Sequence, residues 1–119
     1  MPAYCTSMGR VLLAALPDEG IDAYLGDLKI HAHTPKTITS RAELRKALLN
    51  VRKQGYAIID EEYEAGLRSI AVPVVTRSQR VVAAINVGTH VSRVDRTALL
   101  KRCLPALQEG ARSLQNLLI

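Results

Sequence analysis

Two nearly unbroken apolar runs, Leu67–Val75 and Arg80–Val87, constrain this chain more than anything else in it. Both are rich in β-branched residues, and only Thr76–Gln79 separates them. Two such runs across so short a connection predict an antiparallel hairpin. A strand buried on one face alternates apolar and polar residues. These runs barely alternate, so cover on both faces is expected. Pro73 cannot donate to a ladder and predicts an edge position or a bulge.

The rest of the chain must supply that cover. Met8, Val11, Leu12, Ala15 and Leu16 recur at helical spacing and predict a helix from about Thr6 to Leu16, stopped by Pro17. Asp18 is expected to cap a second helix with Ile21, Tyr24, Leu25 and Leu28 as its apolar face. Residues 29–39, with His31, His33 and Pro35, show no helical period and read as a loop. Ser40-Arg41-Ala42-Glu43 has the capping-box form, in which Ser and Glu satisfy each other's orphan amides. The helix behind it buries Leu44, Ala47, Leu48 and Val51 and ends before Gly55, which suits a left-handed cap. Tyr56–Asp60 reads as a short strand and Glu61–Gly66 as an acidic turn or bulge. From Asp95 to Ile119, Leu100, Leu104, Leu107, Ala111, Leu114 and Leu118 step by four and three in alternation. That is a seam for a sheet or a partner helix, and Pro105 predicts a kink near Lys101–Leu104.

These elements make one α/β (α+β) domain over residues 1–119, without repeats or linkers. Yet only three strands emerge, all in the second half, and the first helix starts almost at Met1. Two such apolar strands need more cover than the amphipathic helices supply. Further sheet is therefore expected, either upstream or from a partner chain.

Composition narrows the class. With 48 % hydrophobic and 23 % charged residues the chain is a soluble globular domain rather than a disordered one. No apolar run reaches the roughly 18–20 residues that cross a bilayer, and no signal-peptide pattern is present, so no membrane partner is expected. Cys5 and Cys103 are far apart without pairing logic, which points to free thiols in a reducing cytoplasm. The 16 basic and 11 acidic residues give +5, spread over helix faces rather than gathered. With no Trp or Phe and four Tyr, platforms for stacking bases are largely lacking.

No phosphate-binding loop, dinucleotide glycine fingerprint, nucleophile elbow or zinc-finger spacing occurs. His31-x-His33 has no evident third metal ligand and reads as surface loop. Glu61, Glu62 and Glu64 read as a solvated turn, and Cys5 as a structural or incidental thiol. Neither enzyme activity nor a cofactor or metal is therefore expected.

Two features are more specific. Cys5-Thr6-Ser7-Met8-Gly9 opens the first helix, where unpaired amides meet the positive end of the helix dipole. Such a place binds a carboxylate or phosphate, or is simply N-capped by Thr6 or Ser7. In the strands, Ser69 shares a face with Leu67 and Ala71, and Asn86 with Ala84 and Gly88. Small and polar residues on one face suit a small-ligand pocket, unless Asn86 merely satisfies loop backbone at a strand end.

These stretches carry a resemblance. Pro2-Ala3-Tyr4-Cys5-Thr6-Ser7-Met8-Gly9-Arg10-Val11-Leu12-Leu13-Ala14 resembles the start of the effector-binding domain in IclR-type bacterial transcription regulators. Thr37-Ile38-Thr39, Gly55-Tyr56-Ala57 to Asp60-Glu61-Glu62, Gly66–Val74 and Val82–Val87 agree in order and spacing along nearly the whole chain. Within the family these motifs look most like the branch controlling protocatechuate and β-ketoadipate catabolism. The resemblance implies a GAF-like antiparallel sheet flanked by helices, lacking its first strands here. It also implies a small organic acid effector (an aromatic acid or a ring-cleavage dicarboxylate) and DNA contact only through a winged helix-turn-helix absent from these residues; the leucine seam from Leu100 to Leu118 adds the expectation of homo-oligomers, and the alternative of an oligomerisation module without ligand binding. Carried over position by position, the effector pocket would use Thr6, Ser7, Met8, Ile59, Asp60, Ser69, Asn86 and Gly88. Some family members have an acid where Ile59 stands and a serine in place of Gly88.

Overall fold

The structure, a computed structural model, describes residues 2–118. Its scaffold is the hairpin. β1 (Ala57–Asp60), β2 (Leu67–Val75) and β3 (Val81–His90) form an antiparallel sheet in the order β1-β2-β3. β3 runs three residues past the expected end at Val87, so that His90 pairs with Leu67. Pro73 sits on the central strand, but locally at an edge, the first of the two alternatives expected for it. β1 reaches only as far as Ala71, which leaves Pro73 paired to Ala84 on one side with no strand on the other. The register then slips between Val74 and Val75.

Strand alternation divides the core. Ile70 and Val72 of β2 meet Leu99 and Leu107 on one face, with Ile58 and Ile85 beside them. On the other face Val11 and Ala14 of α1 (Ser7–Ala14) and Val51 of α3 (Arg41–Gln54) pack on Ala57 and Ala71. The outer layer closes around Tyr4, Cys5, Leu13, Leu44 and Leu48, with Ile21 and Leu25 of α2 (Asp18–Asp27). Leu44 and Leu48 are fully buried, as their spacing predicted, whereas Ala47 is only half-buried.

Cover on both faces holds for β2 and fails for β3. Val82 is 47 % exposed and Val87 36 %. The helices centre on β2, and β3 has a strand neighbour on one side only. Asp18 also departs from expectation. Pro17, held extended at φ −58°, ψ 160°, is the N-cap residue, and Asp18 is the first helical residue. Its carboxylate turns to Arg52 (2.7 Å), whose hydrogen bond holds it below the usual carboxylate range. Half of the expected capping box forms: Ser40 Oγ accepts from the Glu43 amide at 3.3 Å. The reciprocal bond is absent among the described residues. Gly55 closes α3 at φ 84°, the left-handed cap.

The final segment is three pieces rather than one kinked helix. Asp95 caps a short turn, α4 (Arg96–Ala98), through Oδ1 and the Ala98 amide at 2.7 Å. A π-helical turn over Leu99–Cys103 leads into α5 (Leu104–Gln115). Pro105 has no amide for the Lys101 carbonyl, and the π-turn takes up the break. The extra residue shifts the helical phase, so Leu99, outside the expected seam, becomes fully buried beside Leu107. The seam thus faces the chain's own sheet, although Leu114 remains 40 % exposed. Ile119 lies outside the described residues. No helix among those residues is long and apolar enough to cross a membrane.

α1 lies against a 3-10 turn, Ala3–Cys5, with no room to spare. A Cβ on Gly9 would stand 2.3 Å from the Ala3 carbonyl oxygen and 2.5 Å from Thr6 Oγ1. Gly9→Ala is therefore expected to destabilise by about 1–3 kcal/mol, the usual range for overpacking. Gly26→Ala, with nothing within 4 Å, should instead stabilise α2 by roughly 0.5–1 kcal/mol. Urea unfolding of both variants checks this; equal midpoints would show that the turn yields freely.

Candidate functional site

Between the start of α1 and the sheet lies a cavity of about 320 Å³. Register builds its floor. Ile59, Ser69 and Gly88 stand side by side in one row across the three strands, and Asn86 lies one step along β3, opposite Ala71. Thr6, Ser7 and Met8 form the helix wall. Seven of the eight residues expected at the site, Thr6, Ser7, Met8, Ile59, Ser69, Asn86 and Gly88, line this one cavity. Asp60 is not among the residues that line it. Adjacent residues of a strand face opposite ways, so Asp60 points to the α5 face, where it accepts from Arg68 Nε at 3.0 Å.

The lining also includes Cys5 and Gly9 of the helix-start stretch, Leu67 of the Ser69 face, and Tyr63 and Glu64, which the sequence did not point to. Period two already placed Leu67 on the Ser69 face. Tyr63 and Glu64 come from the turn between β1 and β2, where no periodicity tells inside from outside. Burial raises the Cys5 thiol above its ordinary value, with Arg10 opposing, so it is not an activated nucleophile. A Cβ on Gly88 would meet only Leu67 Cδ1 at 4.0 Å, so the floor is open there.

At the start of α1, capping by Thr6 leaves other helix-start amides without an intrahelical acceptor. Thr6 Oγ1 accepts from the Gly9 amide at 3.3 Å and so caps the helix. Ser7 and Met8 are the first two helical residues, whose amides have no intrahelical acceptor, and both line the cavity. Asn86 is not at a strand end, since β3 continues to His90, and its side chain makes no hydrogen bond among the described residues. Ser69, nearly buried, adds a hydroxyl. The lining contains no Lys, Arg or His. An acid held here would rely on backbone amides, hydroxyls and one side-chain amide around an apolar middle, an arrangement typical of small-ligand sites.

Behind the cavity wall lies an ion pair. Arg10 and Glu62 are both buried, at 4 % and 9 % exposure. Two bonds of 3.1 and 2.5 Å join guanidinium to carboxylate, and Arg10 Nε donates to the Tyr4 carbonyl at 2.8 Å. Glu62 is thus no part of a solvated turn, as had been expected of all three glutamates. Thr37 Oγ1 donates to the Glu62 carbonyl and accepts from the His33 and Thr34 amides. The Tyr4 hydroxyl donates to the His31 carbonyl at 2.8 Å and accepts from its amide at 2.9 Å. The two histidines are exposed, and the His33 ring leans on Tyr63 at 5.1 Å. Glu61, at φ 59°, reaches Lys36 (2.7 Å) and the Gly66 amide (3.0 Å), and these two bonds lower its pKa. Glu62→Gln would leave the Arg10 charge buried without its partner, an expected loss of about 3–5 kcal/mol. The apolar pair Arg10→Met with Glu62→Leu should recover most of it. Denaturant unfolding of both variants distinguishes the cases; equal losses would show that the charges themselves are not the issue.

The comparisons with known proteins agree with this geometry. Residues 1–116 match the family model described as bacterial transcriptional regulator IclR C-terminal. The Pca regulon regulatory protein of Pseudomonas putida is 48 % identical over 114 residues, 96 % of this chain and 39 % of that protein. The p-hydroxybenzoate hydroxylase transcriptional activator of Acinetobacter baylyi is 36 % identical over 117 residues, 98 % of this chain and 43 % of that protein. The chain therefore spans less than half the length of these curated relatives. Among solved structures, a double mutant of the PobR inducer-binding domain from Acinetobacter, in complex with 3-hydroxybenzoic acid, superposes with a TM-score of 0.95. It is 35 % identical, and the match covers 99 % of this chain and 67 % of that one. With the family model spanning nearly every residue that builds the sheet, the helix wall and the cavity, this chain belongs to the IclR family of bacterial transcriptional regulators, as its C-terminal domain.

Proposed function

We propose that this chain senses a small organic acid, either an aromatic acid or a ring-cleavage dicarboxylate, and thereby controls genes of aromatic catabolism. The observation that carries this reading is the cavity itself. It is large enough for a small acid, mostly apolar, and has free helix-start amides on one side with Ser69 and Asn86 on the other. Relatives named for the Pca regulon and for p-hydroxybenzoate hydroxylase activation support the aromatic-catabolism part. Binding would act by differing between two arrangements of the domain or its homo-oligomer. Operator contact is assigned to a winged helix-turn-helix outside these residues, and the site of action to the cytoplasm. The domain carries out no catalysis in this reading; its buried, unactivated Cys5 and fully paired Glu62 favour that.

Calorimetric titration with protocatechuate, 4-hydroxybenzoate and β-ketoadipate tests the proposal, and at least one should bind. Ser69→Ala and Asn86→Ala, each removing one hydrogen bond, should weaken that binding by roughly three- to tenfold while the fold survives. Binding by none of the three acids sinks the aromatic-catabolism assignment. Unchanged affinity in both variants removes Ser69 and Asn86 from the site.

A further inference from the structure

Four acids follow one another closely at the end of β1: Asp60, Glu61, Glu62 and Glu64. Three have cationic partners. Asp60 pairs with Arg68, Glu61 with Lys36 and Glu62 with Arg10. Glu64 has no ion-pair partner among the described residues, and it is the one of the four that lines the cavity. Its carbonyl accepts the Leu67 amide at 3.1 Å, which ties its main chain into the cavity wall.

We propose that Glu64 is a specificity-determining residue: its carboxylate accepts a hydrogen bond from a hydroxyl on the ligand and repels a second carboxylate, so the site takes a hydroxylated monocarboxylic acid over a dicarboxylic one. This inference rests on reading the cavity as the effector site. The charges of the lining carry it. Among the described lining residues, positive potential comes from the start of α1, equivalent to roughly half an elementary charge, which suits one carboxylate. With no Lys, Arg or His among the described lining residues, a second ligand carboxylate would find no cationic side chain there, and Glu64 is the acid of the lining. An ionised carboxylate only accepts hydrogen bonds, so it tells a ligand O–H from a ligand COO⁻. Ser69 and Asn86 both donate and accept and cannot make that distinction. Ile59, Leu67 and Met8 offer apolar surface to the body of the ligand.

The test titrates the protein with 4-hydroxybenzoate, benzoate and adipate. The wild type should bind 4-hydroxybenzoate about tenfold more tightly than benzoate, the worth of one hydrogen bond to a charged group, and adipate most weakly. Glu64→Ala should erase the difference between the two benzoates, and Glu64→Lys should raise adipate affinity by about tenfold or more. Glu64 is exposed, so both variants should keep the wild-type melting temperature. A hydroxyl preference that survives Glu64→Ala, or adipate binding best to the wild type, overturns the role of Glu64 while the effector site stands. Failure of all three acids to bind overturns the effector reading, and this inference with it.

Discussion

The buried Arg10–Glu62 pair is what makes two separate walls into one site. Arg10 belongs to α1 and Glu62 to the turn between β1 and β2, fifty-two residues away in sequence. Removing both charges from water is costly, and the cost is offset only because the geometry is complete. Two bonds join the groups, and the remaining guanidinium nitrogen is satisfied by the Tyr4 carbonyl. The pair thereby holds three things in register: the 3-10 turn that precedes α1, the start of α1, and the segment carrying Tyr63 and Glu64. Loop 29–39 is drawn in as well, because Thr37 bonds the Glu62 carbonyl and Tyr4 bonds both backbone groups of His31.

Small residues do the complementary work. Gly9 lets α1 approach Ala3 closely, while Ala57 and Ala71 let it lie low on the sheet. Beyond those alanines the helix start stands over Ser69, Asn86 and Gly88, and the space left there is the cavity. Rigid packing beside an unfilled volume is how a fold keeps a binding site open in a close-packed interior. The same division explains β3. Its neighbour β2 is buried on both faces, whereas β3 carries the exposed Asn86 and Gly88 on the cavity face and the exposed Val87 on the opposite one.

Much of this was legible in the sequence because it depends on local rules. Period two placed Ser69 with Leu67, and Asn86 with Gly88, on shared faces, and the register sets Ser69 beside Gly88. Helical spacing found the buried Leu44 and Leu48, and Gly55 marked the end of α3. The same rule turns Asp60 away from the cavity face: one position from Ile59 on a strand means the opposite face. Its place among the expected site residues rests on the family resemblance alone. Asp18 was misassigned because Pro17, already extended, could occupy the cap position itself. Tyr63 and Glu64 were missed because an irregular turn has no period.

The sequence by itself determined the hairpin, the helix-start motif, the row of small and polar residues in the strands, and the family that these motifs resemble. Each follows from contacts a few residues apart or from a fixed repeat. Only the tertiary structure decided which of the glutamates is buried, which is paired outside and which lines the cavity. It also decided that β3 stays open on one side, and that Pro105 produces a π-turn which buries Leu99. Those outcomes depend on partners such as Arg10, Lys36 and Arg68, and on packing against the sheet. Charge pairing across the chain leaves no periodic trace along it, so three glutamates alike in sequence come to lie in three different surroundings.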